Sequence, residues 1–288
     1  YPARARQFQE EVAKWEQETE ALKRQGREQK RGRPWWDWPP SSLYNGMIAP
    51  LVPYAIAGAI WYQGESNADR ADQYRTLFPN LIQNWRDDWQ QGDFPFLAVQ
   101  LAPWDKGRNR SLMEIQGVPG DSDWAELREA QSIAAREMKQ VGLAVITDYG
   151  DKDDIHPPHK EPVGARLALL ARAIGYGEPV AARGPACRKM QVKKNRIVLT
   201  FDHAQGGLEA RGGKLRGFAI SGDDGRFLWA EARIDGERVI VSHPYLTDPV
   251  AVRYGWADYP MVNLFNRAGL PASPFRTDDF PMITAPKE

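Results

Sequence analysis

The sequence predicts an α/β fold with a parallel sheet, followed by an antiparallel β region. Three observations carry that prediction. Ala55 to Asn67 (AIAGAIWYQGESN) is eight small or apolar residues running into the polar cluster Gln63-Gly64-Glu65-Ser66-Asn67. This is the pattern of a strand buried on both faces whose carboxyl end opens on a ligand crevice, although a plain polar turn also fits it. Strand-like and helix-like runs then alternate from residue 55 to residue 176, the signature of βα units. After Gly175 the chain changes to short β runs separated by turn signals such as Asp224-Gly225 and Asp235-Gly236.

Composition narrows the function classes. The chain has 288 residues, with 38 Lys plus Arg against 38 Asp plus Glu, so no global field favours nucleic acid or an anionic membrane surface. No apolar run approaches the roughly 18–20 residues that span a bilayer. Eleven Trp and ten Tyr suit sugar-binding walls as well as cores. The single cysteine, Cys187, excludes an intrachain disulfide framework and a Cys-based zinc site. The first residue is Tyr, not Met, and the sequence reads as a piece of something longer.

Taken in order, residues 4–33 are densely charged, with Phe8, Val12, Trp15, Thr19 and Leu22 on one narrow stripe, which predicts a helix that packs on a neighbour or projects as an arm. Gly26 and a basic run end it. Pro34 to Pro40 (PWWDWPP) fits neither helix nor central strand; its three tryptophans would form a stacking platform or pin the arm. A helix is expected over 70–89, a buried strand over Phe94–Leu101, and then a loop of about twenty residues, too long for a plain connector. Asp123 with Glu126 reads as a capping box opening a helix toward Lys139. Leu143–Thr147 is the third strand and Val163–Ile174 the third helix. The β region, with runs at Arg196–Phe201, Gly217–Ile220, Phe227–Ile234 and Val239–Ser242, reads as a small sandwich. The tail, rich in Asn and Pro, reads as irregular and wrapping back. The expected organisation is a helical arm with a Trp/Pro-rich linker at 1–42, part of an α/β domain at 43–180, and a β-rich domain at 181–288.

Polar groups stand at three strand ends: Gln63 to Asn67, Gln100, and Asp148 leading into Asp151–His159. Within DKDDIHPPHK, Asp153 lies three residues before His156 and Asp154 two before it. An imidazole beside a carboxylate is the orienting half of a hydrolytic triad, in which the ring takes the nucleophile's proton. Metal ligation by His156 and His159 is the weaker reading, because three-residue spacing in a Pro-Pro loop is not the one-face helical arrangement; a solvated polar loop is the bland one. No serine stands in a strand-to-helix elbow, and Ser66 lacks the G-x-S-x-G frame.

These residues also carry a resemblance. YNGMIAPL (44–51), GAIWYQGESN (58–67), DIHP with Lys160 and VGARLAL (154–169), and AVRYGWAD…NLFN…GLPASPFRTD (251–278) resemble the sialate O-acetylesterase family of the SGNH hydrolases. The resemblance implies a flavodoxin-like three-layer α/β/α SGNH hydrolase domain, present in part, with an antiparallel β-sandwich after it. It implies a carbohydrate O-acetylesterase working by a Ser-His-Asp mechanism on acetylated sialic acid or on hemicellulose such as xylan or xyloglucan. The family's Gly-Gln-Ser-Asn-type serine motif is absent here, so the resemblance implies an N-terminal portion of the same enzyme that supplies the nucleophile. His156 would be the general base, Asp153 or Asp154 its orienting carboxylate, and Gln63 the oxyanion donor; Glu65, Gln100 and Trp104 would meet substrate. No metal or organic cofactor, nucleic acid or membrane is implied, and secretion or a bacterial periplasm is expected. Arg108, Arg110 and Arg128 are candidates to clamp a sialate carboxylate, whereas Trp35, Trp36, Trp38 and Trp104 lean toward a neutral polysaccharide. The alternative is a non-catalytic carbohydrate-binding module with a relic site.

Overall fold

The computed structural model describes residues 2–36 and 39–286 and divides the chain into two units, 1–55 and 56–288. In the first unit, α1 (Pro2–Arg24) carries the expected apolar stripe. The segment after it covers that stripe: the Trp15 indole donates to the Arg31 carbonyl at 2.7 Å, Arg33 pairs with Glu16 at 3.2 Å, and the Phe8 and Trp36 rings lie 5.5 Å apart. Gly26, at φ +68°, makes the left-handed turn that lets the chain fold back. Trp35 is exposed; Trp38 lies outside the described residues.

The second unit opens with β1 (Ala59–Trp61), α2 (Ala71–Trp89) and β2 (Phe96–Val99). After a long loop that carries the short α3 (Leu112–Ile115) come α4 (Asp123–Glu137), β3 (Val141–Ala144) and α5 (Glu161–Leu170). The three strands form a parallel sheet in the order β1-β2-β3. Neighbouring β2 residues point to opposite faces. Phe96 meets Phe78 and Trp85 of α2, while Leu97 packs with Ala144 and Leu170 on the α5 side. Helices thus bury both faces of β2.

The first strand departs from expectation. β1 has three residues, not eight; among the described residues it is an edge strand of the sheet, and Ile60 is 70% exposed. The capping box also differs: Ser122, not Asp123, caps α4 by accepting the Ala125 N–H at 3.0 Å, while a capping box forms at Ser111 and Glu114 on α3.

Beyond α5 the chain forms β4 (Ala186–Lys193), β5 (Arg196–Asp202), β6 (Leu208–Ala210), β7 (Phe218–Ser221), β8 (Phe227–Trp229), β9 (Glu231–Asp235), β10 (Arg238–Ser242), β11 (Ala251–Tyr254), β12 (Leu264–Asn266) and β13 (Phe275–Arg276). Two antiparallel sheets, β4-β5-β10-β9 and β13-β11-β7-β8, share one core that includes Ile197, Leu199, Val239, Val241, Phe218, Ile220, Val252 and Tyr254; β12 pairs with β6. The run Phe227–Ile234 is two strands, not one: the chain changes sheets at Ala230 between β8 and β9.

The tail does lie back on the parallel-sheet layer. Arg276 donates to the Glu129 carboxylate of α4 at 3.0 Å. The buried Glu126 carboxylate accepts the Ile283 and Thr284 N–H groups and the Thr284 hydroxyl at 2.7, 3.2 and 2.7 Å. Thr284 in turn accepts the Asp72 N–H at the start of α2.

Candidate active site

Because the strands are parallel, the segments that leave β1, β2 and β3 emerge along the same edge of the sheet, the edge where open α/β sheets bind ligands. Gln63 and the Asp148–His159 loop therefore share that edge, separated by the strand between them. Their neighbours in the chain meet: the ammonium of Lys160, just after that loop, sits 5.1 Å from the centroid of the ring of Tyr62, just before Gln63.

The backbone at Gln63 is fixed from below. Gln131, fully buried on α4, donates to the Gln63 carbonyl at 3.2 Å and accepts the Leu101 N–H at 2.9 Å. Gly64 has φ +155°, and a Cβ there would lie 2.6 Å from Leu127. Only glycine meets both demands. The Gln63 side chain accepts the Tyr74 hydroxyl at 3.0 Å and donates to Asn67 at 2.7 Å. Gln63, Asn67, Tyr74, Trp61, Leu77, Phe78 and Leu81 line an open cleft of about 310 Å³ beside β1. Glu65 lies half-buried in the turn behind Gln63.

The histidine loop is anchored at its base and free at its tip. Arg166 of α5, itself buried, makes a two-pronged pair with Asp148 at 2.6 Å on each side and donates to the Val145 carbonyl at 2.7 Å. The Asp105 N–H donates to the Lys152 carbonyl at 3.0 Å. Burial pushes the Asp105 carboxyl up, and the Arg110 guanidinium and backbone N–H outweigh it, holding the group below its ordinary value. Asp151 accepts the N–H groups of Asp153 and Asp154 at 2.9 and 3.2 Å, folding the tip into a tight turn.

At that tip the two candidate carboxylates differ. Asp154 accepts the His156 backbone N–H at 2.8 Å and stands 3.7 Å from its Nδ1. The Asp153 carboxylate is bound by the Lys152 ammonium and holds that amine above its ordinary value. The imidazole is 86% exposed, open to an incoming group. An exposed imidazole thus stands beside a carboxylate, with the Gln63 amide at another strand end of the same edge.

Other expected site residues are placed differently. Gln100 is fully buried and donates to Ser132 at 3.1 Å, so it faces α4 and not an open cleft. Trp104 is half-buried, its ring 5.3 Å from Trp124. The three arginines do not form a free clamp. Arg108 pairs with Asp258, and Arg110 with Asp105. Arg128 is fully buried and donates to the carbonyls of Leu101, Ala102, Ala257 and Asp258. Burial pushes its pKa down to about 9, and those four carbonyls are what the charge has for company. Burial likewise raises the Cys187 thiol to about 12, leaving it inert at neutral pH. Sequence reasoning missed Tyr74, Gln131 and Arg166, which read as helix-face residues; the glutamine and arginine facing inward on α4 and α5 were the available signal.

The family described as "Carbohydrate esterase, sialic acid-specific acetylesterase" matches residues 29–168. Human sialate O-acetylesterase is 32% identical over 263 residues, covering 82% of this chain and 48% of the human protein. The mouse enzyme is 31% identical over 240 residues, covering 76% and 43%. A crystal structure of a carbohydrate acetylesterase from Xanthomonas citri superposes with a TM-score of 0.77 at 44% identity, covering 84% of this chain and 55% of that one. The chain spans less than half the length of these curated relatives. The matched span, the identities and the superposition make this chain similar to the sialic acid-specific acetylesterases among the carbohydrate esterases.

Proposed function

We propose that this chain carries the base and the oxyanion donor of a carbohydrate O-acetylesterase, and that a further segment of the same enzyme brings the nucleophilic serine. The observation that carries this reading is the shared strand edge, with His156 beside Asp154 at one strand end and the held Gln63 amide at another. The sheet is then the partial core of a flavodoxin-like three-layer SGNH domain. Support comes from the open edge of β1, where exposed Ile60 offers an apolar strand with no partner on that side among the described residues.

In the proposed cycle the serine oxygen attacks the acetyl carbonyl while His156 takes its proton. The Gln63 N–H stabilises the tetrahedral oxyanion, a contribution that typically amounts to about 10²–10³ in rate. His156 then protonates the departing sugar oxygen, leaving an acyl-enzyme. Water, deprotonated by the same ring, releases acetate and restores the serine. The engagement of Arg108, Arg110 and Arg128 favours a neutral acetylated sugar over one bound through its carboxylate. The test is hydrolysis of 4-nitrophenyl acetate and of acetylated xylan by this chain with and without its upstream portion. Activity only in the combined sample is expected, and it should vanish in His156→Ala with the thermal midpoint unchanged. Silence in both samples favours a binding module, and acetate release by His156→Ala removes the ring from the mechanism.

A further inference from the structure

The Gln63 amide is held by two side chains from different elements. Tyr74, in the first turn of α2, donates its hydroxyl to Oε1 at 3.0 Å; Asn67, in the turn before α2, accepts one Nε2 hydrogen at 2.7 Å. A primary amide has two N–H donors. One is engaged by Asn67, and among the described residues no protein group accepts the other. Gln63 and Asn67 both line the open cleft, so a group that enters it comes close to the half-buried amide.

Tyr74 suits a permanent donor. Its ring is 4% exposed and stacks on Phe78 with centroids 5.3 Å apart, which fixes the direction of the hydroxyl. Burial, with the Glu65 charge adding to it, raises the phenol to about 12, so it remains protonated wherever an imidazole acts as a base. Donation into Oε1 draws electron density from the amide nitrogen and strengthens its remaining N–H as a donor, as chained hydrogen bonds do. It also opposes a flip of the amide, which would turn an oxygen lone pair toward a developing negative charge.

We infer that Tyr74 and Asn67 are positioning residues that lock the Gln63 amide with one N–H presented to the oxyanion. This rests on the esterase reading given above. It also explains why a tyrosine hydroxyl is present on the buried face of α2, where phenylalanine would pack as well.

The experiment is a double-mutant cycle in the full-length enzyme with 4-nitrophenyl acetate, reading kcat and KM separately. Gln63→Ala should lower kcat by about 10²-fold or more. Tyr74→Phe keeps the ring and its stacking, and should lower kcat by roughly 5- to 20-fold with KM within about twofold, the scale of one lost hydrogen bond to a reacting amide. In the Gln63→Ala background Tyr74→Phe should have no further effect on kcat. Asn67→Ala, on a partly exposed turn, tests the same claim with little risk to folding and should behave likewise. An equal loss from Tyr74→Phe in both backgrounds, or no loss in either, overturns the positioning role and leaves the esterase reading standing. Full activity in Gln63→Ala overturns the oxyanion assignment itself, and the positioning role with it.

Discussion

Replacing each loop aspartate by asparagine separates the two carboxylates that spacing alone left equal. Asparagine keeps the size and an acceptor oxygen, so the turn built on Asp151 survives and only charge is removed. Asp154 stands 3.7 Å from His156 Nδ1, with the two side chains 60% and 86% exposed. At that separation and a water-like dielectric, the attraction for a charged ring is about 1 kcal/mol, or about sixfold in rate; with the site closed around substrate, at an effective dielectric of about 20, it grows to about 4 kcal/mol, approaching 10³-fold. Asp154→Asn should therefore lower kcat/KM by at least about sixfold. Asp153 faces Lys152 and should tolerate asparagine within about twofold, the scale of an exposed surface pair. The assay is steady-state hydrolysis of 4-nitrophenyl acetate by the complete enzyme, with thermal midpoints measured alongside. A greater loss in Asp153→Asn would refute the assignment; equal and mild losses would mean that neither carboxylate orients the ring.

Two further outcomes follow from the buried polar contacts. Arg166→Met leaves Asp148 and the Val145 carbonyl without their donor; because Asp148 is still one-fifth in water, the cost should be about 2–3 kcal/mol, below the ~3–5 of a fully buried pair, lowering the calorimetric midpoint by roughly 4–12 °C. A midpoint within about a degree of wild type would mean that the pair contributes little. The tyrosines set an alkaline limit. Tyr62 and Tyr74 are both raised to about 12, chiefly by burial, so the unfolded chain loses these protons first and stability declines as pH rises from 10 through 12. Urea midpoints at pH 9, 10.5 and 12 should fall in that order, and Tyr74→Phe should flatten the fall; an unchanged slope in that variant would assign the loss elsewhere.

What could be read from the sequence followed from period and punctuation. The amphipathic spacing of α2 and the continuous apolar run at β2 reflect burial by one or two layers, which a local pattern records. The closeness of His156 to an aspartate was legible for a different reason, since the residues lie within four positions of one another. The length of β1 was not, because the pattern shows what a strand is suited to bury and not what stands beside it. Nor were the different neighbours of Asp153 and Asp154, since Lys152 reaches the former while His156 stands beside the latter. The polar clamp on Gln63 draws on Tyr74 and Gln131, 11 and 68 residues away, and no spacing rule links such positions. The partners of the arginines were not legible, because a guanidinium in sequence looks alike whether it greets a ligand or braces carbonyls, as Arg128 does.

The strap formed by residues 276–284 constrains how such a protein can be inherited. Glu126 of α4 draws its partners from residues 283 and 284, beyond the last sheet, and Glu129 is shared between Arg75 of α2 and Arg276 of β13. A recombination joining the parallel-sheet layer to a foreign β module near residue 180 would strand an acidic group in the interior. The two architectures are thus coupled through α4, however separable they look when drawn.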